Sequence, residues 1–249
     1  KDKNIIQAIV DLGNINKNSK IIEIGPGEGN LTEFIIKKKP SKVIVIEKDK
    51  NLANLLIEKF NNQIIIINDD ILNFKLNNYL KDEFILFGNL PYNISTKILT
   101  EWITSNIKFK SCTKLILMFQ KEVADRIVAN TNSKNYGRLS IISSWRYDVK
   151  KEFDISSSCF FPKPKINSTL LSFIPKKKYF KIKNPENLEK ISKIFFNQRR
   201  KMIKKPLKQI FKNTENIIKK LELDINLRPQ NLSPLIYFKI TQEYENSLH

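Results

Sequence analysis

Histidine is almost missing from this chain: its one example, His249, is the last of 249 residues. That leaves proton transfer through imidazole, and any histidine-built zinc site, without a donor in the body of the chain. Cysteine is nearly as scarce. Cys112 and Cys159 stand far apart with no metal-type spacing, so a reduced, cytoplasmic protein without disulfides or bound metal is expected. Acid is in short supply too, with 25 Asp+Glu against 44 Lys+Arg, a net charge of +19 and a pI near 9.8. Such a balance favours a polyanionic partner, nucleic acid first and an anionic membrane surface second. No uninterrupted apolar run approaches the ~20 residues of a membrane span. No signal peptide is expected either, although the first residue is Lys1 rather than Met.

What is present is a core-forming chain, 41% hydrophobic, of a length that suits one large domain or one with a smaller companion. Apolar, β-branched runs at 20–24, 42–46, 63–67, 83–87 and 114–119 read as strands. Helical patterns at 31–38, 51–60, 96–105 and 121–130 fall between and after them. This alternation predicts βαβ units and a mostly parallel sheet. Two later runs, 139–144 and 169–174, are expected to close the sheet as an edge hairpin. Beyond Pro175 only helical periods follow. Asn184-Pro185 supplies an N-cap and a first-turn proline, and Leu188, Ile191 and Phe195 then share a face. Residues 176–249 carry 18 Lys+Arg against 7 Asp+Glu, whereas 1–175 carry 26 against 18. The division is therefore placed at 1–175, a catalytic α/β domain, and 176–249, a small, basic, RNA-binding helical domain.

The stretch "IIEIGPGEGNLTEFI" is a strand, a glycine-rich turn and a helix start. Gly25, Gly27 and Gly29 permit a tight turn and close approach to a ligand. Asn30 breaks the dinucleotide fingerprint, and no Gly-Lys-Ser/Thr follows for a phosphate loop. Glu23 and Glu28 would repel a pyrophosphate but suit the ammonium and sulfonium of S-adenosylmethionine. Glu47 ends the second strand, 22 residues beyond Gly25, where a carboxylate can accept from both ribose hydroxyls. After the third strand, Asp70 can accept from an adenine amine while Ile71 packs on the ring.

"NLPY", residues 89–92, closes the fourth strand at the same sheet edge. An exocyclic amine on a base is a poor nucleophile because its lone pair is delocalised into the ring. An amide carbonyl from Asn89 and a neighbouring backbone carbonyl can draw on its hydrogens and free that lone pair. Pro91 locks the turn, and Tyr92 offers a stacking face worth ~1–3 kcal/mol. Asn89, Leu90, Pro91 and Tyr92 are thus candidate catalytic residues for methyl transfer, with positioning as the main source of acceleration.

Taken together, "EIGPGEGNLT", "GNLPYNIS", "FQKEVADRI", "YGRLS", "FFPKPKINS" and "FNQRRK" resemble the small-subunit ribosomal RNA adenine dimethyltransferases, in order and over nearly the whole chain. The resemblance implies a Rossmann-like S-adenosylmethionine-dependent methyltransferase fold with a mostly parallel seven-stranded sheet, followed by a small all-helical domain. It implies dimethylation of two adjacent adenines near the 3′ end of 16S-type rRNA, on a pre-assembled 30S-type particle. It places Gly25 in the family's cofactor turn and matches Glu47 to a ribose ligand, Asp70 to an adenine contact and Asn89 to the residue that touches both cofactor and target amine, and these four join Glu23, Gly27 and Ile71 as candidate cofactor contacts. Phe160 is matched to an aromatic covering the base from its other face, with Lys163 and Lys165 beside it as phosphate contacts. Lys121, Arg126, Arg138, Arg199, Arg200 and Lys201 are the further RNA-binding candidates, Arg199-Arg200-Lys201 foremost. A monomer is expected. The family also carries a basic stretch with Gly-Gln-x-Phe ahead of the position matching Lys1, so cofactor contacts from it fall outside this sequence. Asp69 stands where the family usually has glycine. Two alternatives stay open: dimethylation of large-subunit rRNA, against which "FNQRRK" argues, and a ribosome-assembly or RNA-binding factor with little turnover.

Overall fold

The computed structural model describes residues 2–74, 82–105, 111–159 and 165–248. Seven strands form one sheet: β1 (Lys20–Ile24), β2 (Lys42–Glu47), β3 (Ile65–Asn68), β4 (Phe84–Asn89), β5 (Cys112–Gln120), β6 (Tyr147–Ile155) and β7 (Ser168–Pro175). Their spatial order is β3-β2-β1-β4-β5-β7-β6. The first five strands pair in parallel, and β7 runs antiparallel to β5. The sheet is therefore mixed and mostly parallel. Central parallel strands bury both faces, which explains the unbroken apolar runs of β1, β2, β4 and β5.

Between the strands lie α2 (Asn30–Lys37), α3 (Lys50–Phe60), α4 (Ser95–Thr104) and α5 (Lys121–Ile127), with α1 (Lys3–Asp11) ahead of β1. The Asp49 side chain caps α3, accepting from the N–H groups of Asn51 and Leu52 at 2.8 and 3.1 Å. Val10, Ile21, Ile35, Val45, Leu56 and Phe87 join in one buried cluster, each worth ~1.5–3 kcal/mol relative to exposure. The sheet order reverses between β1 and β4. In such sheets a crevice opens there, beyond the carboxyl ends of the strands.

The chain divides into two units. The sheet unit holds Lys1–Leu99, Ile107–Ala124 and Val149–Pro175, and the helical unit holds Thr100–Asn106, Asp125–Asp148 and Lys176–His249. Pro175 is thus one junction among several, because the helical unit also draws in 100–106 and 125–148. It contains α6 (Arg138–Arg146), α7 (Pro185–Phe196), α8 (Lys204–Ile210), α9 (Thr214–Leu221) and α10 (Pro234–Asn246). As expected, the Asn184 side chain caps α7, and Leu188, Ile191 and Phe195 are fully buried. Phe195 meets Tyr237 edge-on at 5.3 Å, and the Tyr237 hydroxyl donates to the Pro229 carbonyl at 2.7 Å.

One expectation is corrected. Residues 139–144 lie within helix α6, not in an edge strand. Ser140, Ile141, Ile142, Ser143 and Trp145 are all buried, and a helix buried nearly all round shows no 3.6-residue alternation to separate it from a strand. The strand beside β7 is instead β6, "YDVKKEFDI", whose several charges suit its place at the sheet edge.

Candidate active site

The loops after β1, β2 and β3 are stitched together at one edge of the sheet unit. Gly25 N–H donates to the Ile46 carbonyl at 3.0 Å. The Glu47 carboxylate, largely buried, accepts from Gly27 N–H at 3.2 Å and from Asp49 N–H at 2.9 Å. The Asn68 amide donates to the Glu47 carbonyl at 2.9 Å. Asp70 Oδ1 accepts from Leu72 N–H at 3.0 Å, and its Oδ2 pairs with Lys48 Nζ at 2.9 Å. These contacts, Lys48 foremost, hold the Asp70 carboxyl below its usual range. Ile71 beside it is buried.

Gly25 and Gly27 do different work at similar angles. Gly25 has φ +65°, and a Cβ there would stand 2.8 Å from the Asn89 carbonyl oxygen. The turn after β1 therefore rests directly against the end of β4. Gly27 has φ +57°, yet a Cβ there would meet nothing within 4 Å. It borders open space that a side chain would begin to fill, as a ligand cradle requires.

Glu23 is the electrostatic anomaly of this edge. It is 2% exposed and accepts from Thr32 Oγ1 at 2.6 Å. Burial, with the neighbouring charge of Glu47, raises its pKa to about 7 despite that hydrogen bond. Two acids so placed favour a cation, and S-adenosylmethionine carries both an ammonium and a sulfonium. On these observations the residues fit that molecule.

At the end of β4, Asn89 is exposed while Leu90 is buried. The amide is thus presented outward from a fixed main chain, flanked by the Gly25 turn. Ile94 N–H donates to the Pro91 carbonyl at 3.1 Å, closing the turn. Tyr92 is half-buried, and its hydroxyl lies 2.6 Å from Ser168 Oγ. The structure brings Glu23, Gly25, Gly27, Glu47, Asp70, Ile71 and Asn89–Tyr92 to the carboxyl ends of β1 to β4. Phe160 and Lys163 lie outside the described residues, and Lys165 is exposed.

The cationic candidates fare unequally. Lys121 is ion-paired with Asp154, whose carboxyl is held far below its usual range by Lys121, Thr169 and Lys151. Arg138 pairs with Glu189 at 3.2 Å. Arg199 donates to the Lys134 carbonyl at 2.5 Å and to Gln230 Oε1 at 3.2 Å. These three side chains are occupied in holding the protein together. Arg126, Arg200 and Lys201 are exposed. Within "YGRLS", Tyr136 and Ser140 are buried: Tyr136 meets the half-buried Phe196 of "FNQRRK" edge-on at 6.1 Å, and its hydroxyl donates to the Leu232 carbonyl at 2.8 Å.

Sequence reasoning missed a hollow of about 510 Å³ lined by Arg200, Lys201, Met202, Lys204, Lys205, Lys208 and Arg228. No acid lines it, and none of its six cations forms an ion pair with another described residue. The signal was available. Lys201, Lys204, Lys205 and Lys208 follow the i, i+3, i+4, i+7 spacing of one helical face. Among the described residues no His/Cys/Asp/Glu group could hold a metal ion, and no helix is long and apolar enough to cross a membrane.

Comparison with known proteins extends these observations. The family model described as ribosomal RNA adenine dimethylase matches residues 1–246. A protein of Pelagibacter ubique (strain HTCC1062) named ribosomal RNA small subunit methyltransferase A is 54% identical over 248 residues, 98% of this chain and 93% of its own. One of the same name from Ehrlichia ruminantium (strain Gardel) is 46% identical, covering 89% of this chain and 84% of its own. Among solved structures, a dimethyladenosine transferase from Plasmodium falciparum superposes with a TM-score of 0.84 at 24% identity, covering 99% of this chain and 97% of that one. That last likeness speaks to the fold.

Proposed function

The chain belongs to the ribosomal RNA adenine dimethylase family, and from that premise we propose that it dimethylates the exocyclic amines of two adjacent adenines near the 3′ end of small-subunit rRNA. S-adenosylmethionine supplies an electrophilic methyl group on a sulfonium. The observation that carries the reading is the exposed Asn89 at the end of β4, its main-chain carbonyl resting against the Gly25 turn.

The chain's own part is to hold and to orient. Glu47 would accept from the donor's ribose hydroxyls, and Asp70, whose partner Lys48 is exposed, would accept from its adenine amine. Ile71 would pack on that ring. Glu23 and Glu47 together favour the donor's positive charge. The target adenine must leave its stack to be reached and lies on the face of Tyr92. The Asn89 side-chain carbonyl then accepts a hydrogen of the target amine, drawing nitrogen towards tetrahedral geometry so that its lone pair can attack. No side-chain base is needed at that step, since the amine loses its proton after it has become cationic.

Residues 1–175 carry this chemistry, and 176–249 dock the RNA, with Arg200, Lys201 and the lysines of α8 against phosphates. The protein acts as a monomer in the cytoplasm, on a pre-assembled 30S-type particle. Incubation with labelled S-adenosylmethionine and immature small subunits should yield N6,N6-dimethyladenosine by mass analysis of nucleosides, at adjacent positions mapped by primer extension. Transfer confined to large-subunit rRNA, or none at all, would sink the proposal.

A further inference from the structure

We propose that Ser168 is a positioning residue for methyl transfer, acting through Tyr92. The inference rests on the reading of Tyr92 as the platform for the target base. The two hydroxyls lie 2.6 Å apart although 76 positions separate them in sequence. Tyr92 follows β4, and Ser168 opens β7 two strands away, so the tyrosine side chain spans the end of β5 to make this bond.

Both ends of the link are fixed. Ser168 is fully buried and pairs in register with Gln120 at the end of β5. Beside it, Lys121 N–H donates to the Asn167 carbonyl at 3.0 Å. The next side chain, Thr169, points to the other face of the sheet and donates to Asp154 at 2.6 Å. β7 is thereby anchored from the opposite side. On the tyrosine, Ser95 Oγ donates to the main-chain carbonyl at 3.1 Å, in the same turn that Ile94 N–H closes on Pro91.

A tyrosine with a fixed main chain keeps two side-chain rotations. A hydrogen bond at the tip of the ring removes them and sets the plane on which a base would lie. A base tilted on a loose ring would carry its amine away from Asn89. What matters is the serine hydroxyl, since the side chain touches neither base nor methyl donor in this scheme.

The test is a double-mutant cycle in methyl transfer to immature small subunits. Ser168→Ala should lower kcat roughly tenfold, the scale of one lost hydrogen bond, with KM for S-adenosylmethionine unchanged. Tyr92→Phe should lose about the same, the double variant no more than either single change, and Ser168→Thr should recover most of the rate. Multiplying losses in the double variant, or wild-type kcat in Ser168→Ala, would overturn the inference. Asn89→Ala serves as the control. If the wild-type protein transfers nothing, the functional reading fails. If wild type is active and Asn89→Ala is dead while the Ser168 and Tyr92 losses multiply, this inference alone fails. Should Ser168→Ala fold poorly by thermal denaturation, Tyr92→Phe and Ser168→Thr still decide.

Discussion

Glu23 in the sheet unit and Glu245 in the helical unit are both buried almost completely, and they are treated in opposite ways. Glu245 in the helical unit, 4% exposed, accepts from Lys183 N–H at 2.9 Å, Asn184 N–H at 2.7 Å and Asn187 Nδ2 at 3.2 Å. It satisfies the N–H groups of the two residues that lead into α7 and lies at the positive end of that helix. Glu23 in the sheet unit accepts from the Thr32 hydroxyl and has a second acid for a neighbour. The first carboxylate serves the fold. The second sits where the fold gains little from it, which is the mark of a group kept for a ligand. The same contrast runs through the signature segments. In the sheet unit a short motif, Asn89–Tyr92, is itself the candidate site, whereas in the helical unit "FNQRRK" joins a half-buried Phe196 and an occupied Arg199 to the exposed Arg200 and Lys201, and further free cations follow on α8.

The sharpest way to break this comparison is Asn89→Ala. If chemistry belongs to the sheet unit and docking to the helical unit, methyl transfer should fall by about 10²–10³-fold, the scale of losing one aimed polar group at a reacting centre. Binding to the small-subunit particle, measured by co-sedimentation, should persist. Equal loss of both would erase the division of labour.

The two glutamates give a matched pair. In the unfolded chain Glu23 titrates near 4.5, and in the folded protein near 7. Between those values the folded state holds a proton that the unfolded state has released. Stability from this group is therefore complete below 4.5 and is lost as pH rises through 7, about 3 kcal/mol in all. Glu23→Gln should raise urea stability by up to that amount at pH 8 and leave it nearly unchanged below pH 4.5. Affinity for S-adenosylmethionine should rise with pH between 6 and 8 in the wild-type protein and be flat in the variant. Glu245→Ala should do the reverse, costing about 2–3 kcal/mol by stranding buried donors while leaving donor affinity alone.

How much of this was legible follows from what each element buries. Strands such as β2, apolar on both faces, announce themselves as runs like "VIVIE". Helix α6 buries almost its whole circumference and was therefore indistinguishable from a strand, while β6 hid behind Lys150, Lys151, Glu152 and Asp154. The turn at Gly25–Gly29 and the acids Glu47 and Asp70 were readable because strand ends in a parallel sheet share an edge. The pinning of Tyr92 by Ser168 was not, since it joins residues 76 apart. Nor could sequence show that Lys121, Arg138 and Arg199 are already partnered, because pairing depends on the fold.

Within the sheet unit, the glycines sharpen the contrast between framework and cradle. Alanine at either Gly25 or Gly27 costs about 1–2 kcal/mol for the left-handed backbone. Gly25→Ala adds a collision 2.8 Å from the Asn89 carbonyl, so kcat should fall with stability. Gly27→Ala enters open space and should weaken S-adenosylmethionine binding in calorimetry while kcat at saturation holds. Equal losses of kcat would mean that the two turns are one framework.

The smallest effects per residue belong to the helical unit, and they separate free cations from occupied ones. Lys204→Ala, Lys205→Ala and Lys208→Ala each remove a charge that no described acid offsets. If these lysines lie against phosphates, each change should flatten the dependence of log affinity on log salt by roughly 0.7–0.9. Maximal kcat and thermal stability should stay at wild-type values. Arg199→Ala removes instead the donor to Lys134 and Gln230, so its effect should appear first in thermal unfolding, with the salt slope kept. An Arg199 variant that loses slope at unchanged stability would return that residue to the RNA. Three α8 variants with wild-type slopes would leave the hollow without phosphates to meet, and the basic charge of this unit would then be solvent-facing composition alone.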